Sequence, residues 1–305
     1  MFSYTAYGLV IHSELLIPEL PIHPGEPDVW IRLGQVTSRM PTQSDCRYNF
    51  RMEPNAIYLS WQDAGIFLVR NGREIIVDPQ PGTDEAVIRL LLGGALTILL
   101  YQRGVLVLHA SVAAIHETAV AFLGEKGSGK STLAAALHTR GHTFLSDDSL
   151  AIDFAGSSAS VRPGSPQLKL WPDSVHSLGD DPEVLPRLHK DFEKRAFQVT
   201  ENFCRRSLPL RSIYLLAEGT LPEIEAEPPQ TALTEVMRHS QAFRFFKEQG
   251  STPEHFLQCA RLVNAVPIYR LKRPHDLDLL ARVAELVEEH HIQDSSVALE
   301  SFSCQ

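Results

Sequence analysis

The run GEKGSGKSTLA, Gly124 to Ala134, carries the pattern Gly124-x-x-x-x-Gly129-Lys130-Ser131, that of a phosphate-binding loop. Its glycines let main-chain N–H groups turn inward on phosphate oxygens, and the helix start behind them adds its positive end. On this pattern Gly124, Glu125, Lys126, Gly127, Ser128, Gly129, Lys130, Ser131 and Thr132 form the cradle of a nucleoside triphosphate. Lys130 is placed to reach the β- and γ-phosphates and the Ser131 hydroxyl to take Mg2+. Lys126 reads as a solvated second cation. Downstream stand two adjacent acids, Asp147 and Asp148. An acid at the end of a strand beside such a loop holds Mg2+ directly or through water, and a second carboxylate is then available as a base. Taken alone, the acidic pair reads equally well as an ordinary turn.

The elements around the loop fit it. Ala119–Leu123 is a compact apolar strand leading into Gly124, Leu133–Arg140 is helical, Gly141 is a natural stop, and Thr143–Leu145 is a strand ending at the acids. Before it, Thr83 reads as the N-cap of a buried helix running to Gln102, and residues 105–115 as two short strands. Residues 1–82 read as a small β-rich domain with strands over 4–11, 29–33, 56–61, 66–70 and 74–77, and Asn71-Gly72 as a hairpin turn. Residues 83–305 then form the second unit, with loops expected over 156–166 and 179–187, strands over 213–217 and 267–271, and helices over 233–239, 253–263 and 275–291. The fold class is α/β.

Composition narrows the partners. The 305 residues carry a net charge of −9, and no Lys/Arg run is longer than two, which argues against nucleic acid. Cys46, Cys204, Cys259 and Cys304 lack metal or redox spacing and read as reduced thiols. His290-His291 reads as a solvated helix end. No basic leader opens the chain, and the apolar run 86–101, broken by Arg89, reads as too short to span a bilayer. A cytoplasmic protein with no membrane partner is expected.

The segment His109–Asp148 resembles the catalytic core of HPr kinase/phosphorylase, a bacterial kinase that acts on a serine of a carrier protein. The likeness rests on the loop, on Arg140-Gly141-His142 before the strand, on Asp147 standing 17 residues after Lys130, and on His109 standing 15 residues before Gly124. The resemblance implies a P-loop core of that family, with ATP and Mg2+ as cofactors. It implies Asp147 as the base that takes the serine proton, His109 beside it to orient it, Lys130 on the phosphates, and Ser131 and Asp148 on the metal. The family's Glu-x-Arg-Gly signature is absent, and Pro163-Gly-Ser-Pro-Gln-Leu-Lys169-Leu-Trp-Pro172 stands in its place, so phosphorolysis is not expected to carry over. The opening Tyr4–Leu9 and the stretch Gln167–Trp171 are similar to a divergent branch that includes the lasso-peptide kinases. That likeness implies a peptide or small-protein serine as acceptor, with Lys194 and Arg195 contacting phosphate or acceptor. Family members also form homo-oligomers. An ATP-binding regulatory module without transfer, or a small-molecule kinase, are the other readings that the loop allows; a transport motor is disfavoured, since no Leu-Ser-Gly-Gly-Gln run is present.

Overall fold

Turn chemistry organises the first sheet of the computed structural model, which describes residues 1–37, 48–61, 64–189, 192–245 and 252–302. Tyr7 and Gly8 take φ of 54° and 71°, so the single strand expected over 4–11 folds back into β1 (Phe2–Ala6) and β2 (Leu9–Ser13). A tyrosine is an unusual choice for a left-handed position, which is why the turn is hidden in the sequence. Then follow β3 (Val29–Leu33), β4 (Tyr48–Glu53), β5 (Ala56–Trp61), β6 (Gly65–Arg70) and β7 (Glu74–Pro79), in sheet order β1-β2-β3-β7-β6-β5-β4. Asn71 and Gly72, at φ 56° and 58°, make the expected β6–β7 turn.

Helix α1 (Glu85–Gln102) is capped by Asp84, whose Oδ1 accepts from the Ala86 N–H at 2.8 Å. Thr83 instead donates to the Ala64 carbonyl at 3.2 Å. Contrary to the reading from sequence, this helix is by length and composition alone apolar enough to cross a membrane. In the fold, Ile88, Leu91, Leu92 and Ala95–Leu100 are buried, in one core with Ile11, Ile31, Ile75 and Val77 of the first sheet. The same core takes in Val107 and Ala151 from the second unit.

The second unit is built on β8 (Leu106–Leu108), β9 (Ala110–Ile115), β10 (Thr118–Leu123), α2 (Lys130–Thr139), β11 (Thr143–Ser146), β12 (Leu150–Ala155) and β13 (Ser158–Arg162). Strand β13 occupies part of the loop expected over 156–166. Next come β14 (Gln167–Leu170), α3 (Pro172–Ser177), β15 (Arg187–His189) and β16 (Phe192–Gln198), whose strands form a small separate sheet ordered β14-β16-β15. The chain continues through β17 (Leu208–Glu218), β18 (Glu223–Ala226), α4 (Pro229–Arg238), α5 (Gln241–Phe245), α6 (Pro253–Ala265), β19 (Ile268–Arg273) and α7 (Leu280–Phe302). A 3-10 turn, Leu277–Leu279, stands where the last helix was expected to begin.

The large sheet runs β11-β9-β10-β17-β13-β12-β8, and β19 pairs with β17. Strands β10, β17 and β19 are mutually parallel, so their C-terminal ends open on one edge, where α/β sheets bind ligands. Helix α2 packs on this sheet through Leu133, Ala134 and Leu137, in one core with Phe122 and Tyr214. The His290-His291 pair is not a solvated end: His291 is buried with Nε2 3.0 Å from Thr118 Oγ1, and His290 Nδ1 lies 3.0 Å from the Tyr214 hydroxyl. Cys204 and Cys259 are buried free thiols, and burial lifts the Cys259 thiol to about 12; Cys46 and Cys304 lie outside the described residues.

Candidate active site

The glycine loop leaves the end of β10 and enters α2, and its torsions explain its composition. Gly127 and Gly129 take φ of 86° and 83°, the left-handed region that glycine enters without strain. A Cβ on Gly129 would also lie 2.3 Å from Arg273 Nη2. Gly129 is the N-cap of α2 and supplies no side-chain bond, so the first-turn N–H groups keep their donor capacity. Lys130 is buried and folds back on the loop, donating to the Gly124 carbonyl at 2.8 Å and the Glu125 carbonyl at 3.0 Å.

Across the loop stand the acids. β11 ends at Ser146, and Asp148 takes φ of 67°, a conformation aspartate tolerates better than most residues. Neighbouring side chains of a straight strand would face opposite ways; here both carboxylates line one cavity of about 820 Å³. Asp147 is nearly enclosed. Its Oδ1 accepts from Ser131 Oγ at 2.8 Å and Ser111 Oγ at 2.6 Å, and its Oδ2 accepts from the Lys169 N–H at 3.0 Å. Burial first, then the neighbouring Asp148 charge, pushes its carboxyl above the usual range.

Asp148 is more open, its side chain retaining 35% exposure, and its Oδ2 pairs with Lys169 Nζ at 2.8 Å. Burial alone would raise its carboxyl, but the Lys169 and His109 charges outweigh that and hold it well below the ordinary range. Lys169 is correspondingly raised by Asp148 against the cost of burial. The Asp148 carbonyl accepts from Gln241 Nε2 at 3.0 Å and lies 3.1 Å from His109 Nδ1. A carbonyl can only accept, so that nitrogen carries the proton.

His109, Lys126, Gly127, Gly129, Lys130, Ser131, Thr132, Asp147, Asp148 and Lys194 thus line the same cavity. Gly124, Glu125 and Ser128 do not form its wall, and the Glu125 carboxylate turns instead to Arg238. Arg195 is a correction. Strand alternation sends it away from the cavity, where it is 2% exposed and donates to the Pro182 carbonyl at 2.7 Å, the Glu193 carbonyl at 2.5 Å and Glu183 Oε1 at 3.0 Å. Lys194, on the other face of β16, has its Nζ 5.9 Å from the Trp171 ring centroid.

The structure adds residues that spacing did not single out. Tyr7 reaches the cavity from the first sheet, and burial raises its hydroxyl. Ser111, two residues after His109, could have been found by strand periodicity. Lys169 and Arg273 could not, since sheet register alone brings them in. Arg273 ends β19 and donates from Nη2 to the Ser128 carbonyl and from Nη1 to the Pro274 carbonyl at 3.3 Å. It has no carboxylate partner among the described residues, and its Nε and Ser128 Oγ are buried without a hydrogen bond.

No family model and no curated protein matches this chain. A solved structure of the HPr(Ser) kinase/phosphatase from Coxiella burnetii matches over 64% of this chain and 96% of its own, with 12% identity and a TM-score of 0.39. The chain is an α/β protein of mixed sheets with a remote likeness to that kinase/phosphatase fold.

Proposed function

We propose that the protein is an ATP-dependent kinase that transfers the γ-phosphate to a serine hydroxyl of a peptide or small protein. One observation carries the reading. The Ser131 hydroxyl at the mouth of the glycine loop is bound to Asp147, while Asp148 and His109 stand on the same cavity.

The residues fit Mg2+ and a triphosphate. Among the described residues no three or more His, Cys, Asp or Glu side chains form a metal cage, but Mg2+ is commonly held by one or two carboxylates together with the nucleotide's own oxygens. Ser131 and Asp147 would hold it, and its charge would offset that of the phosphates. The buried polar atoms at Ser128 and Arg273 match an anion at the loop. Lys130 would leave its carbonyl partners for the β- and γ-phosphates.

This exchanges the roles that the family resemblance implied for the two acids. Asp147 is occupied by Ser131, Ser111 and the Lys169 N–H, which suits the metal. Asp148 is ionised, more exposed and adjacent to His109, which suits the proton acceptor. Lys169 would hold Asp148 in place and offset charge on the transferred group. Positioning and charge stabilisation supply most of the catalysis in phosphoryl transfer.

The test is label transfer from γ-labelled ATP to a degenerate library of serine peptides, with the product checked for a mass gain of about 80 Da. Labelled serine is expected, and Asp148→Asn should lower the rate by about 10²–10⁴-fold while MgATP still binds. Unchanged labelling by Asp148→Asn would remove that residue from the chemistry. A regulatory module without transfer is the second reading, favoured by the Asp148–Lys169 ion pair that weakens the base. MgATP binding with no label in any peptide would select it.

A further inference from the structure

The lining of the cavity divides, by its chemistry and by the elements that carry it, into two arms. Lys126, Lys130, Lys169, Lys194 and Arg273 stand with Asp147 and Asp148 at the loop end. The other arm is walled by Phe50 of β4, Leu59 and Trp61 of β5, Leu90 and Leu91 of α1, and Phe192 of β16. Among the described residues, the first sheet and α1 bring no charged side chain to this wall. A triphosphate and its metal belong at the charged end. Strand β16 adds Glu193 beside Phe192, but against the uncharged face of the first sheet and α1 a sugar or a second nucleotide would leave polar groups unpaired, at a desolvation cost.

Helix α1 indicates that the apolar arm is kept open. Gly93 and Gly94 sit in mid-helix, where each costs about 1 kcal/mol relative to alanine. Neither takes a positive φ, so no turn requires them. A Cβ on Gly93 would meet nothing within 4 Å, and one on Gly94 would only touch Leu59 Cδ2 at 3.8 Å. Both line the cavity. Larger side chains there would help the helix and fill the arm.

The wall next to this arm suits an extended chain. Leu188 lines the cavity from β15, the edge strand of the small sheet, which pairs with β16 and with no other described strand. An edge strand has main-chain donors and acceptors to offer a peptide, and a simple alcohol or lipid has no matching series of groups.

We propose that this arm is the acceptor subsite, and that it takes a peptide whose serine is flanked by bulky apolar side chains. The inference rests on the kinase reading for its orientation: flanking side chains enter between α1, β5 and β16, and the hydroxyl points to Asp148. The first sheet thereby becomes a substrate-binding element.

Two charge-matched heptapeptides with a central serine test it, one flanked by leucine and phenylalanine, the other by glycine and asparagine. Their binding to the full chain is measured by fluorescence anisotropy with Mg2+ and a non-hydrolysable ATP analogue. The apolar peptide should bind at least tenfold more tightly. Gly93→Leu should erase that preference, as should Leu90→Glu, which places a charge in the arm. Gly93→Leu raises helix propensity, so its melting temperature should not fall. Equal binding of the two peptides, or a preference that survives Gly93→Leu, overturns the proposal. Analogue affinity, titrated without peptide, separates the two ideas. Loss of it in the wild-type chain fails the kinase reading, whereas intact analogue binding with no peptide preference fails the acceptor subsite alone.

Discussion

Asp148 and Lys169 show how one residue sets another's chemistry. The lysine keeps the carboxylate ionised to below its ordinary range, so the base form is available at neutral pH. With Mg2+ saturating, so that Asp147 stays ionised, the acidic limb of the pH–rate profile for label transfer should therefore lie below about pH 4, the usual aspartate value. Lys169→Met should move that limb upward, and an unmoved limb would dissociate the pair from the chemistry. Arg273 yields a second expectation. Charged hydrogen bonds contribute about 1.5–3 kcal/mol, so Arg273→Ala should weaken MgATP binding about tenfold or more in a calorimetric titration. Arg273→Lys should recover only part of this, because an ammonium lacks the planar fork. The loop and both acids were legible because their chemistry lies in local spacing. Lys169 and Arg273 were not, since they join the site through the β14–β16 sheet and the parallel β17–β19 pair. The expected Arg195 contact failed for a related reason: a basic pair in sequence splits across the two faces of a strand.

Elements with strong local signals were visible in advance: β3, β5, the Asn71-Gly72 hairpin and the strand–loop–helix around Gly124. Those missed were short strands with charged or polar faces, such as β13 (SASVR) and β16 (FEKRAFQ), whose pairing is a tertiary property. The docking of α7 was missed for the same reason, because nothing local says that its histidines meet Tyr214 and Thr118. That docking carries a pH dependence. Burial depresses His291 to about 4, against about 6.5 when unfolded. The unfolded chain therefore binds more protons between those values, and stability must fall as pH drops from about 6.5 to 4. The melting temperature should decline over that window, and His291→Gln should flatten the decline. A slope unchanged in the variant would place the acid sensitivity elsewhere.

Across the whole molecule the first sheet and the second unit are joined twice, through the α1 core and through the cavity to which Tyr7, Phe50 and Trp61 contribute. The sequence suggested a boundary after residue 82, and α1, which begins just beyond it, buries its apolar residues in one core with the first sheet. Full-length unfolding should then be a single transition, with tryptophan fluorescence and far-ultraviolet circular dichroism coinciding; two separated transitions would mean independently stable units. A nucleotide titration bears most directly on the central claim that the loop, Ser131 and Asp147 hold a metal–triphosphate. Calorimetry with ATP and Mg2+ should show saturable binding by the wild-type chain, weakened at least tenfold by Lys130→Ala and strongly dependent on Mg2+. No binding by the wild type, or equal affinity in Lys130→Ala, would contradict it.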